Sequence, residues 1–336
     1  MKKRIEGLDA LKFILSFCIV SIHLPFPGVI GSIALALFRV AVPLFFMISG
    51  YFCSSYNDAK MRKMLVKVLK LLLAGTGLMI LANIIGVLCK GGALNEIVVY
   101  IMEIPSSRKI TDVLFKNIAY VSGPLWFLYA YVYVLLFWWL CKKANWLTFL
   151  KVTAVLLCIM APIFGKYSYI FLNRAFLRED TRNWFFMGLP FFVLGKVLKD
   201  NGGKLHVSRM AWLLLIAIFS FTTVAEGALL KKFGQGEGDV YFPTTPLSIC
   251  VFQYAMTTEC DEKIIKLANF GKKYSMPIYI VHPFVAEVLR ANHCEPVIGR
   301  WLFGTVVFII SFVLAVGYDV TSQKSKAIQS GRKTVT

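Results

Sequence analysis

Long apolar segments separated by short polar ones follow one another along almost the whole chain. About 20 apolar residues are enough to cross the hydrocarbon core of a bilayer as a helix. Segments of that length lie near 8–26, 31–54, 65–88, 118–141, 147–164, 183–200, 210–230, 241–259, 274–292 and 297–320. The pattern predicts an all-α, polytopic membrane protein with about ten transmembrane helices.

The apolar pattern stops close to residue 322. We interpret residues 1–322 as a single transmembrane domain. Residues 323–336 are polar and basic, so we expect a disordered cytoplasmic tail whose natural neighbours are lipid head groups. Between the predicted spans, the loops 90–117 and 165–182 are the longest on the side opposite the N-terminus, and we expect a substrate outside the cytoplasm to dock there.

Composition agrees with a membrane location. Hydrophobic residues make up 58% of the chain and charged residues 16%, with a mean hydropathy of +0.68. A net charge of +19 would suggest a nucleic-acid partner for a soluble protein. Here the tendency of cytoplasmic loops to be rich in lysine and arginine explains the charge more simply, so no nucleic-acid partner is expected.

The basic residues also predict an orientation. When residues near the end of a span are counted with the adjacent loop, 23 of the 37 lysines and arginines fall on the side of the N-terminus and 12 on the other side, while Lys12 and Arg39 lie inside spans. We therefore expect both termini in the cytoplasm, and a bacterial cell membrane as the location. Eight cysteines show no CxxC pair, and no metal-ligand spacing occurs anywhere, so no metal is expected.

The first span contains two ionisable residues, Lys12 and His23. Such residues are costly in hydrocarbon and suggest a function in the protein interior. Eleven residues are close to three helical turns, so both side chains project from nearly the same face, about 16 Å apart along the axis. Two other readings stay open: Lys12 could neutralise Asp9, and His23 could be satisfied in a polar pocket between helices.

Arg39 lies within the second apolar segment, again at a costly position. Its guanidinium could line a cavity and bind an anion, such as a phosphate, a thioester oxygen or the carboxylate of an amino acid. It could also reach the outer interface by extending along the helix. Pro43, four residues later, is expected to perturb the helix near Arg39.

Four further residues are candidates for a site. His282, at a His-Pro step, is a second possible acid or base, or it caps a broken helix. Trp126 is expected to pack at the wall of a cavity that holds substrate. Arg182 and Asn183 open the sixth predicted span on the outer side, where they could orient an acceptor.

Several segments together resemble a known family. Lys12 and His23 fit an [Arg/Lys]-x10-His pattern. RVAVPLFFMISGYF at 39–52, GPLWFLYAY at 123–131 and YSMPIYIVHPF at 274–284 follow in the order of the family's other motifs. This ordered set is similar to the acyltransferase 3 family of integral membrane acyltransferases, and the similarity covers most of the chain.

The resemblance implies an O-acyltransferase that moves an acyl group, usually acetyl, from cytoplasmic acetyl-CoA to a hydroxyl of an extracytoplasmic glycan or lipid-linked sugar. It implies a catalytic role for His23, with His282 as a second acid or base, because imidazole titrates near neutral pH. Lys12 and Arg39 would bind the CoA donor. The family more often has arginine at the first position, and lysine would act there only as a point charge.

Within the family, the similarity is to the membrane domain of vancomycin-resistance serine racemases, which is thought to import serine. The chain ends at Thr336 without a pyridoxal-phosphate barrel, so racemase activity is not expected. A membrane transporter of a small amino acid such as serine remains an alternative to the acyltransferase. A non-catalytic membrane scaffold is a third hypothesis.

Overall fold

A computed structural model describes residues 4–103, 110–119, 121, 123–235, 238–259 and 261–333. This part of the chain forms helices and no strands, which confirms the predicted all-α class. A 3-10 turn (Gly123–Leu125) precedes α7 and a π-helical turn (Trp184–Gly188) precedes α11. The helices are α1 (Glu6–His23), α2 (Gly28–Phe38), α3 (Ala41–Cys53), α4 (Asp58–Cys89), α5 (Leu94–Glu103), α6 (Ile110–Lys116), α7 (Trp126–Lys143), α8 (Leu147–Phe164), α9 (Ser168–Leu172), α10 (Arg178–Thr181), α11 (Leu189–Asp200), α12 (Arg209–Lys232), α13 (Thr244–Met256), α14 (Glu262–Ala291), α15 (Cys294–Ile298) and α16 (Arg300–Lys333).

Six helical segments in the described part of the chain are long and apolar enough to cross a membrane. Large apolar side chains on them point outward, among them Leu73, Phe221 and Tyr318, each more than 70% exposed. Such surfaces would be unstable in water but fit a lipid environment. The six segments are Gly28–Cys53, Asp58–Cys89, Gly123–Lys143, Leu147–Phe164, Arg209–Lys232 and Arg300–Gln323.

The other four predicted spans also coincide with helices, namely α1, α11, α13 and α14. These helices are shorter or more polar. Thus α13 has 13 residues, and α1 contains Glu6, Asp9 and Lys12 within 18. The multi-pass membrane architecture therefore stands, while the count of ten spans stays a prediction. At the other end of the chain, α16 continues to Lys333, into the segment expected to be a disordered tail.

The second apolar segment consists of two helices instead of one. α2 ends at Phe38 and α3 begins at Ala41, so Arg39 and Val40 form the break. The break is a tightened turn in which the Val40 amide donates to the Leu37 carbonyl. Pro43 fits in the first turn of α3 because that turn needs no donor from it. Arg39 thus lies at a helix end, where its side chain can leave the helix.

Close approach of α3 and α11 builds the centre of the protein. A Cβ atom on Gly50 would lie 1.8 Å from the carbonyl oxygen of Phe192, and one on Gly195 would lie 1.9 Å from that of Met47. Each helix therefore presents a glycine to the backbone of the other, as small residues do where membrane helices meet. Around this contact the largest fully buried side chains include Trp138, Tyr131, Phe46, Phe191, Phe192 and Phe252.

α14 lies beside α1 along most of its length and also packs against α4 and α16. A Cβ atom on Gly271 would lie 1.8 Å from the carbonyl oxygen of Asp9, so the two backbones nearly touch there. Farther along, Phe13 of α1 lies against Phe308 and Phe312 of α16, with ring centroids 5.6 and 5.4 Å apart. Contacts with α14 and α16 therefore fix the position of α1 from its first turn onward.

One end of the bundle gathers the loops that the basic-residue count assigns to the cytoplasm. Lys142, at the end of α7, donates to the carbonyl oxygen of Tyr56 at 2.7 Å. Lys199, at the end of α11, donates to the hydroxyl of Ser55 at 2.7 Å. The ends of α3, α7 and α11 therefore lie together. We call this the Lys199 end.

The opposite end gathers the remaining loops. Lys116, at the end of α6, lies 3.3 Å from the carboxylate of Asp180 in α10. Cys89, at the end of α4, donates from its thiol to the side-chain oxygen of Asn292, which follows α14, at 3.8 Å. We call this the Asp180 end. α1 begins at the first end and finishes, at His23, toward the second.

The close contact of α3 and α11 yields a stability prediction. Gly50→Ala places a methyl group against the Phe192 carbonyl, and we expect the free energy of unfolding in detergent to fall by about 1–3 kcal/mol. Gly77→Ala, on α4 where no atom lies within 4 Å of the added Cβ, is the matched control. Equal thermal denaturation midpoints for the two variants would contradict the assignment of Gly50 to the helix contact.

Candidate functional site

The side-by-side packing of α1 and α14 brings two histidines together. The rings of His23, the last residue of α1, and His282, in α14, are stacked with centroids 5.5 Å apart and planes inclined by 28°. His282 is 1% exposed. The pair lies 259 positions apart in the chain and combines the two residues for which an acid or base role is expected.

Hydrogen bonding indicates the tautomer of His282. Its Nδ1 lies 3.3 Å from the carbonyl oxygen of Ile278, one turn earlier in α14. Because a carbonyl only accepts, Nδ1 carries the proton and Nε2 keeps its lone pair. Nε2 is buried and has no hydrogen-bond partner within the described part of the chain. Nε2 is therefore the ring atom of His282 that is available to hydrogen-bond a ligand.

Three arginines and one aspartate lie beside His23. Arg39 is at the break between α2 and α3, Arg178 begins α10, and Arg182 follows it. Asp239 accepts hydrogen bonds from Nε and Nη2 of Arg178, both at 2.5 Å, and another from Nη1 of Arg39. Arg39 is 7% exposed and the Asp239 side chain 10% exposed. The carboxylate therefore joins two guanidinium groups from distant parts of the chain.

Electrostatics explains why Asp239 stays ionised. Burial by itself would raise the pKa of its carboxyl. The hydrogen bonds from Arg178 and the positive charges of Arg39, Arg178 and Arg182 outweigh that cost and hold the pKa below its usual range. At neutral pH the cluster therefore contains a carboxylate and three guanidinium groups, a net positive charge.

These groups line one cleft at the Asp180 end, which we call the histidine–arginine cleft. Its free space is only about 20 Å³, enough for one or two water molecules and far too little for a sugar or an amino acid. We call the cleft closed in the sense that so little free space remains inside it. The lining residues are Ile19, Ile22, His23, Arg39, Val42, Trp126, Arg178, Arg182, Met187 and Asp239.

Trp126 and Arg182 meet in this cleft. The guanidinium carbon of Arg182 lies 5.3 Å from the centroid of a Trp126 ring, within cation–π range. Trp126 is 5% exposed and begins α7, directly after the 3-10 turn. The hydroxyl of Tyr279 in α14 donates to the Pro124 carbonyl in that turn, which holds the start of α7 near the histidine pair.

Asn183 contributes to the site through hydrogen bonds between its side chain and nearby backbone groups. Its side-chain oxygen accepts hydrogen bonds from the amides of Phe185 and Phe186 at 2.9 and 3.0 Å, and its amide group donates to the Asp180 carbonyl at 2.8 Å. It therefore caps the π-helical turn before α11 and fixes the preceding residue, Arg182. A direct contact between Asn183 and a substrate stays a prediction.

Lys12 lies toward the Lys199 end and does not meet Arg39. Its ammonium group is 2.7 Å from one oxygen of Asp9, whose other oxygen accepts from Arg4 at 3.0 Å. Lys12 also lies 5.6 Å from the centroid of the Phe52 ring. The two residues expected to bind CoA are therefore in different places: Arg39 shares the histidine–arginine cleft, and Lys12 lies near a second cleft.

This second cleft, at the Lys199 end, is open and offers about 400 Å³ of space. We call it the lysine cleft. It combines three basic side chains, those of Arg4, Lys199 and Lys204, with the rings of Tyr51 and Phe52. The remaining lining residues are Ile5, Glu6, Gly7, Met256 and Thr258.

Sequence reasoning anticipated Arg182 but missed several other charged residues of the two clefts, among them Arg178, Lys199, Lys204 and Asp239. Arg178 and Arg182 are four positions apart in REDTR, a helical spacing that could have indicated a pair. Lys199 and Lys204 were recognisable only as part of a basic loop. Asp239 has no signal of its own, since it is one of two acids in a glycine-rich loop and its importance comes from partners 61 and 200 positions away.

Two curated proteins are similar to this chain. The chain is 22% identical over 344 residues to a serine/alanine racemase of Enterococcus gallinarum, covering 93% of this chain and 45% of that protein. It is 24% identical over 348 residues to an amino-acid racemase of Enterococcus faecalis, covering 94% and 46%. The chain thus spans about half the length of these curated relatives. No solved structure is a significant match.

The family assignment rests on a sequence model. The model of the acyltransferase domain (Acyl_transf_3) matches residues 5–319. That range includes the histidine–arginine cleft, the histidine pair, the lysine cleft except for Arg4, and all six helical segments that are able to cross a membrane, apart from the last residues of the sixth. The protein therefore belongs to the acyltransferase 3 family of multi-pass membrane proteins.

Proposed function

We propose that the protein is an integral membrane O-acyltransferase. It transfers an acyl group, in the simplest case acetyl, from cytoplasmic acyl-CoA to a hydroxyl of an extracytoplasmic glycan or lipid-linked sugar. The observation that supports this best is the arrangement along α1. An open basic cleft lies at one end, a stacked histidine pair with three arginines lies at the other, and Lys12 lies between them.

The lysine cleft has the chemistry of a CoA site. Lysine and arginine side chains bind phosphates, and CoA carries several. Lys199 also lies 5.9 Å from the centroid of the Tyr51 ring, so cationic and aromatic groups adjoin, as an adenine nucleotide requires. The long pantetheine arm of CoA would then extend past Phe52 and Lys12 toward the other end of α1. We place the acyl donor there because this cleft is large and open.

The histidine–arginine cleft has the groups that acyl transfer requires. An imidazole nitrogen accepts the proton of the acceptor hydroxyl as its oxygen attacks the thioester carbonyl. The carbon–sulfur bond then breaks, and the thiolate of CoA leaves and is protonated. Guanidinium groups stabilise the negative charge that develops on the carbonyl oxygen. The acyl group could also pass through an acyl-histidine; both routes use the same residues.

This reaction would require the membrane orientation predicted from the basic residues. The lysine cleft would face the cytoplasm, with both termini, and the histidine–arginine cleft would face outward. Ten crossings fit this arrangement because α1, α11, α13 and α14 each extend between the two ends. A bacterial cell membrane is the location that we propose. Trp126 and Arg182 would contact the acceptor.

A transporter for a small amino acid such as serine is the second candidate. Its support is twofold. The curated relatives are racemases of amino acids by name, although each is about twice as long as this chain. In addition, Arg39 and Arg178 already hold a carboxylate, that of Asp239, in a closed cleft. A transporter would bind the amino acid there and would have no need for CoA in the lysine cleft.

The histidine pair yields a kinetic prediction. His23→Ala and His282→Ala each remove one imidazole of the stacked pair, and we expect the rate of acyl transfer from acetyl-CoA to fall by about 10²–10⁴-fold. The measurement is release of free CoA thiol, with an extract of cell-surface glycans as acceptor. His206→Ala, in an exposed loop, is the control and should keep the rate of the parent. Unchanged transfer in both cleft variants would refute the mechanism.

The lysine cleft yields a binding prediction. Lys199→Gln and Lys204→Gln should each weaken acetyl-CoA binding by about tenfold, because each loses one charge-assisted phosphate contact. Calorimetry on the purified protein measures the affinity, with serine as a competing ligand. Lys266→Gln, at the same end but 69% exposed, is the control. Serine binding without any response to acetyl-CoA would favour the transporter over the acyltransferase.

The orientation can be tested with a native cysteine. Cys89 is exposed at the Asp180 end, and we expect a membrane-impermeant maleimide to label it in intact cells. A cysteine introduced by Lys266→Cys, at the Lys199 end, should react only after the membrane is permeabilised. Both are examined in a background in which the other cysteines are replaced by alanine. The reverse labelling pattern would show that the protein is inverted.

A further inference from the structure

We infer that the acceptor of the proposed acyl transfer carries an oxyanion, a carboxylate or a phosphate, and that this group binds to Arg39, Arg178 and Arg182 in the place that Asp239 occupies in the closed structure. The inference depends on the proposed function in one respect, namely that the bound ligand is the acceptor of the acyl group. The anion site itself rests on the geometry of the histidine–arginine cleft. It adds a substrate class and gives Asp239 a role that neither the family match nor the motifs assign.

The first argument is charge. Three guanidinium groups line the cleft, and Asp239 is the one carboxylate among the lining residues. Arg182 also lies 4.0 Å from Glu179, which is on a partly exposed turn. Burying positive charge at the edge of a membrane is costly unless anions compensate it. Among the described lining residues, positive charges outnumber negative ones, and this difference favours binding of an anion.

The second argument is hydrogen bonding. Arg182 has a buried Nε that donates to no group in the described part of the chain, in a cleft with little room for water. Leaving a buried donor unsatisfied costs about 1–3 kcal/mol. An oxyanion held between Arg182 and the other two arginines would accept this hydrogen bond, whereas a neutral sugar hydroxyl would compensate none of the charge.

The third argument is the geometry of Asp239, which shows how an oxyanion binds here. Its two oxygens accept two parallel hydrogen bonds from the edge of the Arg178 guanidinium, both at 2.5 Å, and one oxygen also accepts from Arg39. Carboxylates and phosphates both fit this planar fork of donors. The internal carboxylate therefore acts as a stand-in for the ligand, and a ligand oxyanion must displace it.

Displacement of Asp239 would also open the cleft. Arg178 lies on α10, and Asp239 lies five residues before α13, so their ion pair joins these two parts of the chain at the cleft. With the pair formed, about 20 Å³ remains inside. Exchange of the internal carboxylate for the oxyanion of a ligand would release Asp239 at little electrostatic cost, because one ion pair replaces another. An anionic acceptor would thus gain space for itself next to His23.

The experiment measures oxyanion binding without any acyl donor. Purified protein in lipid nanodiscs is titrated with glucuronate, glucose 1-phosphate, serine and, as the neutral control, glucose. Glucuronate and serine present a carboxylate and glucose 1-phosphate a phosphate, so the first three ligands distinguish the sources of the oxyanion. We expect at least one of them to bind at least about tenfold more tightly than glucose.

Two substitutions at the same ion pair should act in opposite directions. Arg178→Gln should weaken binding of the oxyanion by about tenfold, because it removes the bidentate donor. Asp239→Asn should strengthen it by about tenfold, because the internal competitor loses its charge. Arg174→Gln, on the same loop with its guanidinium 5.2 Å from the Phe176 ring, is the control. A gain of affinity in Asp239→Asn cannot result from misfolding.

Several outcomes would overturn the inference. If both Arg178→Gln and Asp239→Asn weaken binding, the ion pair is a structural brace. If glucose binds as well as the anions, or no anion binds, the cleft is not an oxyanion site. The inference and the proposed function can fail independently. If CoA thiol is released only with neutral acceptors, the inference is refuted and the acyltransferase assignment stands. Anion binding with the expected pattern but no consumption of acetyl-CoA keeps the site and refutes the acyltransferase.

Discussion

Charge placed among membrane helices has to be compensated, and the ion pairs of Asp239 with Arg39 and Arg178 provide that compensation. A lone guanidinium between apolar helices would be strongly unfavourable, and a lone buried carboxylate equally so. Together they allow three arginines to lie beside His23 in a cleft with almost no free space. The same pairs join the break between α2 and α3, the turn of α10 and the loop before α13. The arrangement of these three segments at the Asp180 end therefore depends on the ion pairs of Asp239.

α1 connects that end to the rest of the protein. Its first turns carry the charges of Asp9 and Lys12, its middle packs through Phe13, and its last residue is His23. Because α14 lies along it, a histidine from the far end of the chain stacks on that last residue. A donor site and a reaction site at opposite ends of one rigid helix would allow chemistry that begins in the cytoplasm to finish outside.

The relation to the curated racemases has a physical reading. The match spans about half the length of each relative and more than nine-tenths of this chain. A cleft with a histidine, three arginines and an internal carboxylate has groups that acyl transfer would use and that would also bind the carboxylate of an amino acid. The two proposed functions would therefore differ in whether the lysine cleft receives CoA.

The sequence by itself determined the helices, the membrane location and the spacing of Lys12 and His23, because hydrophobic length and helical period are local properties. It also identified Arg39, Trp126 and Arg182 as costly or unusual residues, and the structure brings these three into one cleft. Only the tertiary structure decided that His23 stacks on His282, that Lys12 pairs with Asp9 away from Arg39, and that Asp239 pairs with Arg39 and Arg178. Periodicity specifies which face of a helix is polar but not which helix it meets, and Asp239 in particular acquires its role only through partners that folding brings from distant loops.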